Sequence, residues 1–225
     1  TLEGELLAQT AGTALKLLTD VQANLRGTPT PRRLNLRVSP SFGVRWLGPR
    51  LSNFLTEFPD WDLRVDAAPD PTDFDREVMD LEVRYGTGNW DDLSSAPLVN
   101  DYVLPLASPA YLASLPSVDP LASARLIDSA RALCQWDYWL WHHGVTTATN
   151  QKSILMDRSS MALQLACDGA GVVLESLALA HGELAKGRLV PVTPALPVLT
   201  FPAYWALCPA RFLKRKPVRL FMDWA

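Results

Sequence analysis

Long apolar runs, paired cysteines and an excess of either charge are all missing from this sequence. No apolar stretch approaches the roughly 20 residues needed to cross a bilayer, and no signal-peptide pattern opens the chain, so no membrane partner is expected. The three cysteines, Cys134, Cys167 and Cys208, are odd in number, widely spaced and never arranged as CxxC. They read as reduced, buried thiols of a cytoplasmic protein and not as a disulfide framework. A formal net charge of −3 gives no sign that the chain holds nucleic acid by itself. The basic group Arg211, Lys214, Arg215, Lys216 and Arg219 reads as a solvated loop before the last helix.

Catalytic signatures are as scarce. No GxSxG, P-loop, GxGxxG or HExxH occurs. His142 and His143 are adjacent, whereas two imidazoles share a helix face only at i, i+4; neither a metal site nor a cofactor is expected. "CDGAGVVL" lacks the glycine spacing of a dinucleotide loop and reads as a helix end and turn before a strand. The Trp-rich stretch "CQWDYWLWHHGV" suggests an aromatic cage, but Trp136, Trp139 and Trp141 do not share one helical face. Packing between helix and sheet accounts for most of them, leaving at most one aromatic for a pocket.

What the chain does contain is an ordinary globular composition, 48% apolar and 20% charged over 225 residues, enough for one large domain or two small ones. It opens "TLEGELL", without Met and already in helical pattern, which leads us to expect a part of a longer protein. Residues 3–26 read as one long helix. Leu7, Ala11, Ala14, Leu18, Val21 and Leu25 recur in steps of four and three, a narrow apolar stripe suited to a dimer seam, with polar residues on either side. Gly27 ends the helix and "TPTPRR" is a stiff linker. From Leu34 onward strands and helices alternate: strand 34–39, helix 42–58, strand 62–67, a helix-like turn at 69–78, strand 80–85, a long extended run around 97–108, helices near 109–114 and 119–124, strand 125–128, strand 153–157, helix 159–169, strand 172–174, short helices in 176–186, strands 188–192 and 203–209, and helix 216–225. This is an α/β pattern with largely parallel sheets expected.

Two junctions in that pattern match. In "LNLRVSPSFGVRWLG" the strand ends in Ser39-Pro40-Ser41, where Ser39 can cap the helix and Pro40 supplies the preset first-turn φ. In "SILMDRSSMALQL" another strand ends in Asp157-Arg158-Ser159-Ser160 and opens a helix. Serines at helix starts are ordinarily only caps. Two such junctions, about 120 residues apart in an alternating chain, point instead to two halves facing across a cleft suited to a carboxylate or other anion. The glycine-containing turn Tyr85-Gly86-Thr87-Gly88 belongs at the same edge.

The order of these features resembles the effector-binding region of LysR-type transcriptional regulators over nearly the whole chain. The residues that carry the resemblance are "GELLAQTAGTALKLLTDVQANLRG", "LNLRVSPSFGVRWLGPRLSNFLTEFPDWDLRV", "MDLEVRYGTGNW", "LPLASPAYLA", "ILMDRSSMALQLACDGAGVVLESLAL", "LVPV" and the closing "YWALCPARFLKRKPVRLFMDWA". "RYGTGNW" and the "YW" strand look most like the branch containing the glycine-cleavage activator and the β-lactamase-inducing regulator. The resemblance implies two Rossmann-like α/β subdomains joined by two crossover strands, a type 2 periplasmic-binding-protein-like fold, preceded by a long linker helix. Residues 1–32 would be linker helix and connector, 33–104 with 204–225 the first subdomain, and 105–203 the second; the family's winged helix-turn-helix, which contacts promoter DNA, is absent from this chain.

The resemblance also implies a small-molecule effector between the subdomains, probing Ser39, Pro40, Ser41, Phe42, Tyr85, Gly86, Ser159, Ser160 and Tyr204, and assembly as a homodimer or homotetramer. The helix-start chemistry adds that the effector carries an acidic group. Pro40 departs from the branch by removing a backbone N–H, which alters the expected grip. Three alternatives share the fold. A solute-binding protein needs a signal peptide. An enzyme needs a clustered acid or base, and none stands at the expected cleft positions. A thiol-based sensor needs two cysteines able to meet.

Overall fold

The structure, a computed structural model, describes residues 1, 3, 4, 7, 8, 10–12, 14, 15, 18, 32–147 and 152–225. Among the described residues nine strands form one continuous mixed sheet in the order β2-β1-β3-β9-β4-β7-β5-β6, with β8 paired to β4. They are β1 (Arg33–Val38), β2 (Asp62–Ala67), β3 (Leu81–Tyr85), β4 (Ser94–Ala107), β5 (Leu126–Ser129), β6 (Ser153–Met156), β7 (Val172–Ser176), β8 (Val190–Pro191) and β9 (Leu199–Cys208). Pairing is parallel on both flanks, β2-β1-β3 and β7-β5-β6. It is antiparallel where the long strands β4 and β9 cross the middle. The expectation of parallel strands therefore holds on the flanks only, where neighbouring strands are linked by crossovers, while the two central strands join the flanks directly.

The alternation in "LNLRV" suggests a strand buried on one face, yet Asn35 and Arg37 are buried along with Leu34, Leu36 and Val38. Ion pairs make this affordable: Arg37 pairs with Asp66 and Glu77, and Asn35 hydrogen-bonds Asp80. A buried polar side chain costs little once its partners are supplied.

The helix expected over 42–58 is broken. It starts as α1 (Pro40–Phe42), widens into a π turn (Gly43–Leu47), tightens into a 3-10 turn (Gly48–Arg50) and resumes as α2 (Leu51–Glu57). Pro49 has no N–H to give the carbonyl four residues back, and the Gly48 N–H reaches Gly43 instead. The remaining helices are α3 (Pro109–Ala113), α4 (Trp136–His143), α5 (Ser159–Cys167), α6 (Leu177–Ala185) and α7 (Lys216–Trp224). The short helix expected near 119–124 is a 3-10 turn at Pro120–Ala122, and the helix-like turn expected within 69–78 is a single turn in which the Glu77 N–H donates to the Asp73 carbonyl at 2.7 Å. Trp136 and Trp139 are buried between helix and sheet, as their spacing suggests, and the Trp136 indole donates to the Ile127 carbonyl at 2.9 Å.

In the N-terminal segment, the described stripe residues Leu7, Ala11, Ala14 and Leu18 are helical. Val21 and Leu25, and the linker after them, lie outside the described residues.

Candidate functional site

The carboxyl ends of β1, β3, β5, β6 and β7 converge where β4 and β9 cross, and there they enclose a cavity of about 300 Å³. Strand ends in α/β sheets are where backbone and side-chain groups stay unpaired, so this is the expected place for a ligand. Seven of the nine sequence-predicted residues line it: Ser39, Pro40, Ser41, Phe42, Tyr85, Ser159 and Tyr204. Two do not. The Gly86 N–H is spent on the Ala203 carbonyl, and a Cβ there would meet the Trp90 ring at 2.8 Å, so Gly86 is a packing residue of the turn. Ser160 lies in a second, surface groove with Arg45 and Met161.

The serines do not act as the simple caps their positions suggest. Ser39 makes no side-chain cap; its hydroxyl donates to the Val83 carbonyl at 3.4 Å and accepts from the Tyr85 N–H at 3.2 Å. Ser41 reaches across the cleft, and its hydroxyl accepts from the Ser160 N–H at 3.1 Å. Ser159 hydrogen-bonds Glu175. The two junctions thus touch each other, and part of the expected anion grip is already used inside the chain. Arg45, on the π turn, reinforces the contact by bridging the Ser160 carbonyl at 3.1 Å and Glu183 at 2.5 Å.

One wall is aromatic. Phe42 stacks on Trp46 and packs against Tyr204, both at 4.7 Å between centroids, and Tyr204 meets Tyr85 at 4.9 Å. No residue of the Trp-rich helix lines the cavity. His143 turns both ring nitrogens to backbone carbonyls, those of Trp139 and Pro197.

Sequence reasoning missed the acidic floor. Asp101 on β4 and Glu175 on β7 line the cavity, and both are buried. The Tyr85 hydroxyl donates to Asp101 at 3.0 Å and accepts the Leu133 N–H. Glu175 accepts from the Ser129 hydroxyl at 2.6 Å and from the Ser176 N–H at 3.1 Å. Burial, and then repulsion from Asp101, push the Glu175 carboxyl up to about 7 despite those hydrogen bonds; burial also raises Asp101. Neither carboxylate sits in a sequence motif; their proximity depends on the β4–β7 pairing and could not be read from spacing. The rim is basic by contrast, with Arg131 and Arg158 sharing Asp157.

Cys134 also lines the cavity, its thiol pushed up to about 11, chiefly by burial. The Cys167 and Cys208 thiols are raised as well, burial again the main cause, so none favours the thiolate that redox chemistry needs.

The sequence profile of the LysR substrate binding domain matches residues 28–225. The chain is 33% identical over 194 residues to the HTH-type transcriptional regulator PerR of Escherichia coli K12, covering 86% of this chain and 65% of that protein. It is 29% identical over 211 residues to the glycine cleavage system transcriptional activator of the same organism, covering 92% and 68%. The chain thus spans about two thirds of the length of these relatives. In fold it is similar to the AmpR effector binding domain from Citrobacter freundii, with a TM-score of 0.73 at 24% identity over 86% of this chain and 96% of that one.

Proposed function

The chain belongs to the LysR substrate-binding domain family, and from that premise we propose that it is the effector-sensing and oligomerising part of a longer, cytoplasmic transcriptional regulator. The observation that carries this reading is the cavity at the crossing of β4 and β9, lined from both flanks of the sheet. Residues 33–104 with 204–225 form one subdomain and 105–203 the other, and a small molecule with an acidic group binds between them. Its binding alters the contacts that join the flanks, Ser41 with Ser160 and Arg45 with Glu183, and the altered packing re-poses the DNA-binding domains of the assembled regulator. The domain performs no catalysis. Asp101, held by the Tyr85 hydroxyl, and Glu175, held by Ser129 and Ser159, serve as fixed binding groups and not as a mobile acid and base.

Thermal-shift measurement against a panel of organic acids, amino acids and their N-acyl derivatives tests the reading. At least one class should stabilise the chain. Ser41→Ala with Ser159→Ala should then weaken its binding by roughly ten- to a thousandfold, from two contacts at about 1–2 kcal/mol each. A panel in which no class binds, or binding that the folded double variant retains at full strength, rejects the cleft as the effector site.

A further inference from the structure

The charges around the cavity are sorted by depth. At the floor, Asp101 and Glu175 face each other's field, and among the described residues neither is ion-paired. The groups in contact with them are neutral: Tyr85 from β3, Ser129 from β5, Cys134 after β5, Ser159 from α5, Ser176 from β7 and Tyr204 from β9, while the Arg84 guanidinium, which also lines the cavity from β3, is spent on Glu82 at 2.6 Å. At the rim, Arg131 and Arg158 share the single carboxylate of Asp157, at 3.1 and 3.0 Å, which leaves one positive charge in excess.

A second observation is independent of the charge count. Asp101 is 2% exposed and lines the cavity, yet its Oδ1 takes no well-aligned hydrogen bond, although the Ser176 hydroxyl lies near the carboxylate. A buried acceptor left without a donor costs free energy that a ligand donor would recover.

Resting on the reading of this cleft as the effector site, we propose that Asp101 and Glu175 form an ammonium-binding subsite at its floor, and that the effector is a small zwitterion of the α-amino acid type. Its ammonium goes in first, donating to Asp101 Oδ1 and to Glu175. Its carboxylate stays at the rim near Arg131 and Arg158, and its side chain lies against Phe42 and Tyr204. A cavity of about 300 Å³ is at the small end of ligand pockets, which suits a molecule of that size. A cation at the floor favours the ionised form of both carboxyls, so binding releases a proton. With Glu175 titrating near 7, affinity for an ammonium should rise about tenfold between pH 6 and pH 8. A carboxylate bound at the same floor needs those protons and should bind more weakly as pH rises.

The probes are the twenty standard amino acids, their N-acetyl derivatives and simple mono- and dicarboxylic acids, titrated by calorimetry into the chain at pH 6 and pH 8. Support consists of at least one amino acid binding, its N-acetyl derivative binding at least tenfold more weakly, and affinity rising with pH. Asp101→Asn and Glu175→Gln, checked for folding by circular dichroism, should each lose the preference for the free amine. N-acetyl derivatives or plain acids that bind as well as amino acids, or an affinity that falls as pH rises, would overturn the ammonium subsite while leaving the effector cleft intact. If no class binds, the cleft reading falls with it.

Discussion

At the scale of single residues the acidic floor has a consequence that needs no ligand. The ordinary Glu175 carboxyl titrates at 4.5, and in the folded chain it is pushed up to about 7, first by burial. The folded state therefore holds a proton that the unfolded state has lost. Stability from this group is complete below about pH 4.5 and is lost as pH rises through 7, a loss of about 3 kcal/mol. Asp101, raised in the same direction, adds to it. Chemical denaturation of the ligand-free chain should show lower stability at pH 8 than at pH 5, and Glu175→Gln should remove Glu175's share of that loss. Equal stability at the two pH values would mean that the carboxyl is solvated in solution. A glycine offers a second residue-scale check. Gly88 has φ +97°, and a Cβ there would sit 2.5 Å from the Trp205 ring, whose indole N–H donates to the Gly86 carbonyl at 3.0 Å. Gly88→Ala must displace Trp205 or twist the turn, and should lower stability by about 1–3 kcal/mol in urea unfolding.

At the scale of elements, the broken helix after β1 does two jobs that an unbroken one would not. Its π turn carries Arg45 across to Glu183, which Arg188 also contacts, and its start carries Ser41 across to Ser160. Arg45 and Glu183 are nearly buried, so removing one partner leaves a charge short of compensation. Arg45→Met should cost about 1–3 kcal/mol, less than for an isolated buried pair because Arg188 remains. Urea unfolding reads that loss directly. The sequence announced this region through "VSPSFGVRWLGP", and periodicity gave most strands within a few residues. It concealed the helix break, because an apolar period survives a π turn while the Pro49 defect counts only against the hydrogen-bond ladder. It also concealed the full lengths of β4 and β9. Pro97, Pro105 and Pro202 interrupt any strand signal; Pro97 and Pro202 sit where the β4–β9 register shifts, while Pro105 keeps a regular place opposite Leu174 on β7. The serines and Tyr85 were legible because they stand at strand ends, whereas Phe42 and Tyr204, the latter inside β9, came from the family resemblance alone. The carboxylate half was not legible, since Asp101 and Glu175 meet only through pairing between strands about 70 residues apart.

At the scale of the whole molecule, the N-terminal helical residues remain apart from the sheet's core. Leu7 and Leu18 are 70% and 61% exposed. Each leucine side chain taken from water contributes about 1.5–3 kcal/mol, and nothing described in a single chain supplies that burial here. A second copy would, if the stripe Leu7, Ala11, Ala14 and Leu18, continued by Val21 and Leu25, zips against its own image. The alanines allow close approach and the flanking polar residues keep the helix soluble when alone. Assembly through this seam would also give effector binding something to act on, because a change in one cleft is transmitted only if the domains are mechanically joined. Leu7→Asp with Leu18→Asp in the longer regulator places two carboxylates per chain in the seam, and its dissociation constant should rise roughly a hundredfold or more. Sedimentation velocity over a concentration series measures that shift, with the α/β domain's melting temperature as the control for folding. A variant that keeps the wild-type mass at every concentration would place the assembly contact elsewhere, on the α/β domain itself, and leave the stripe without a partner.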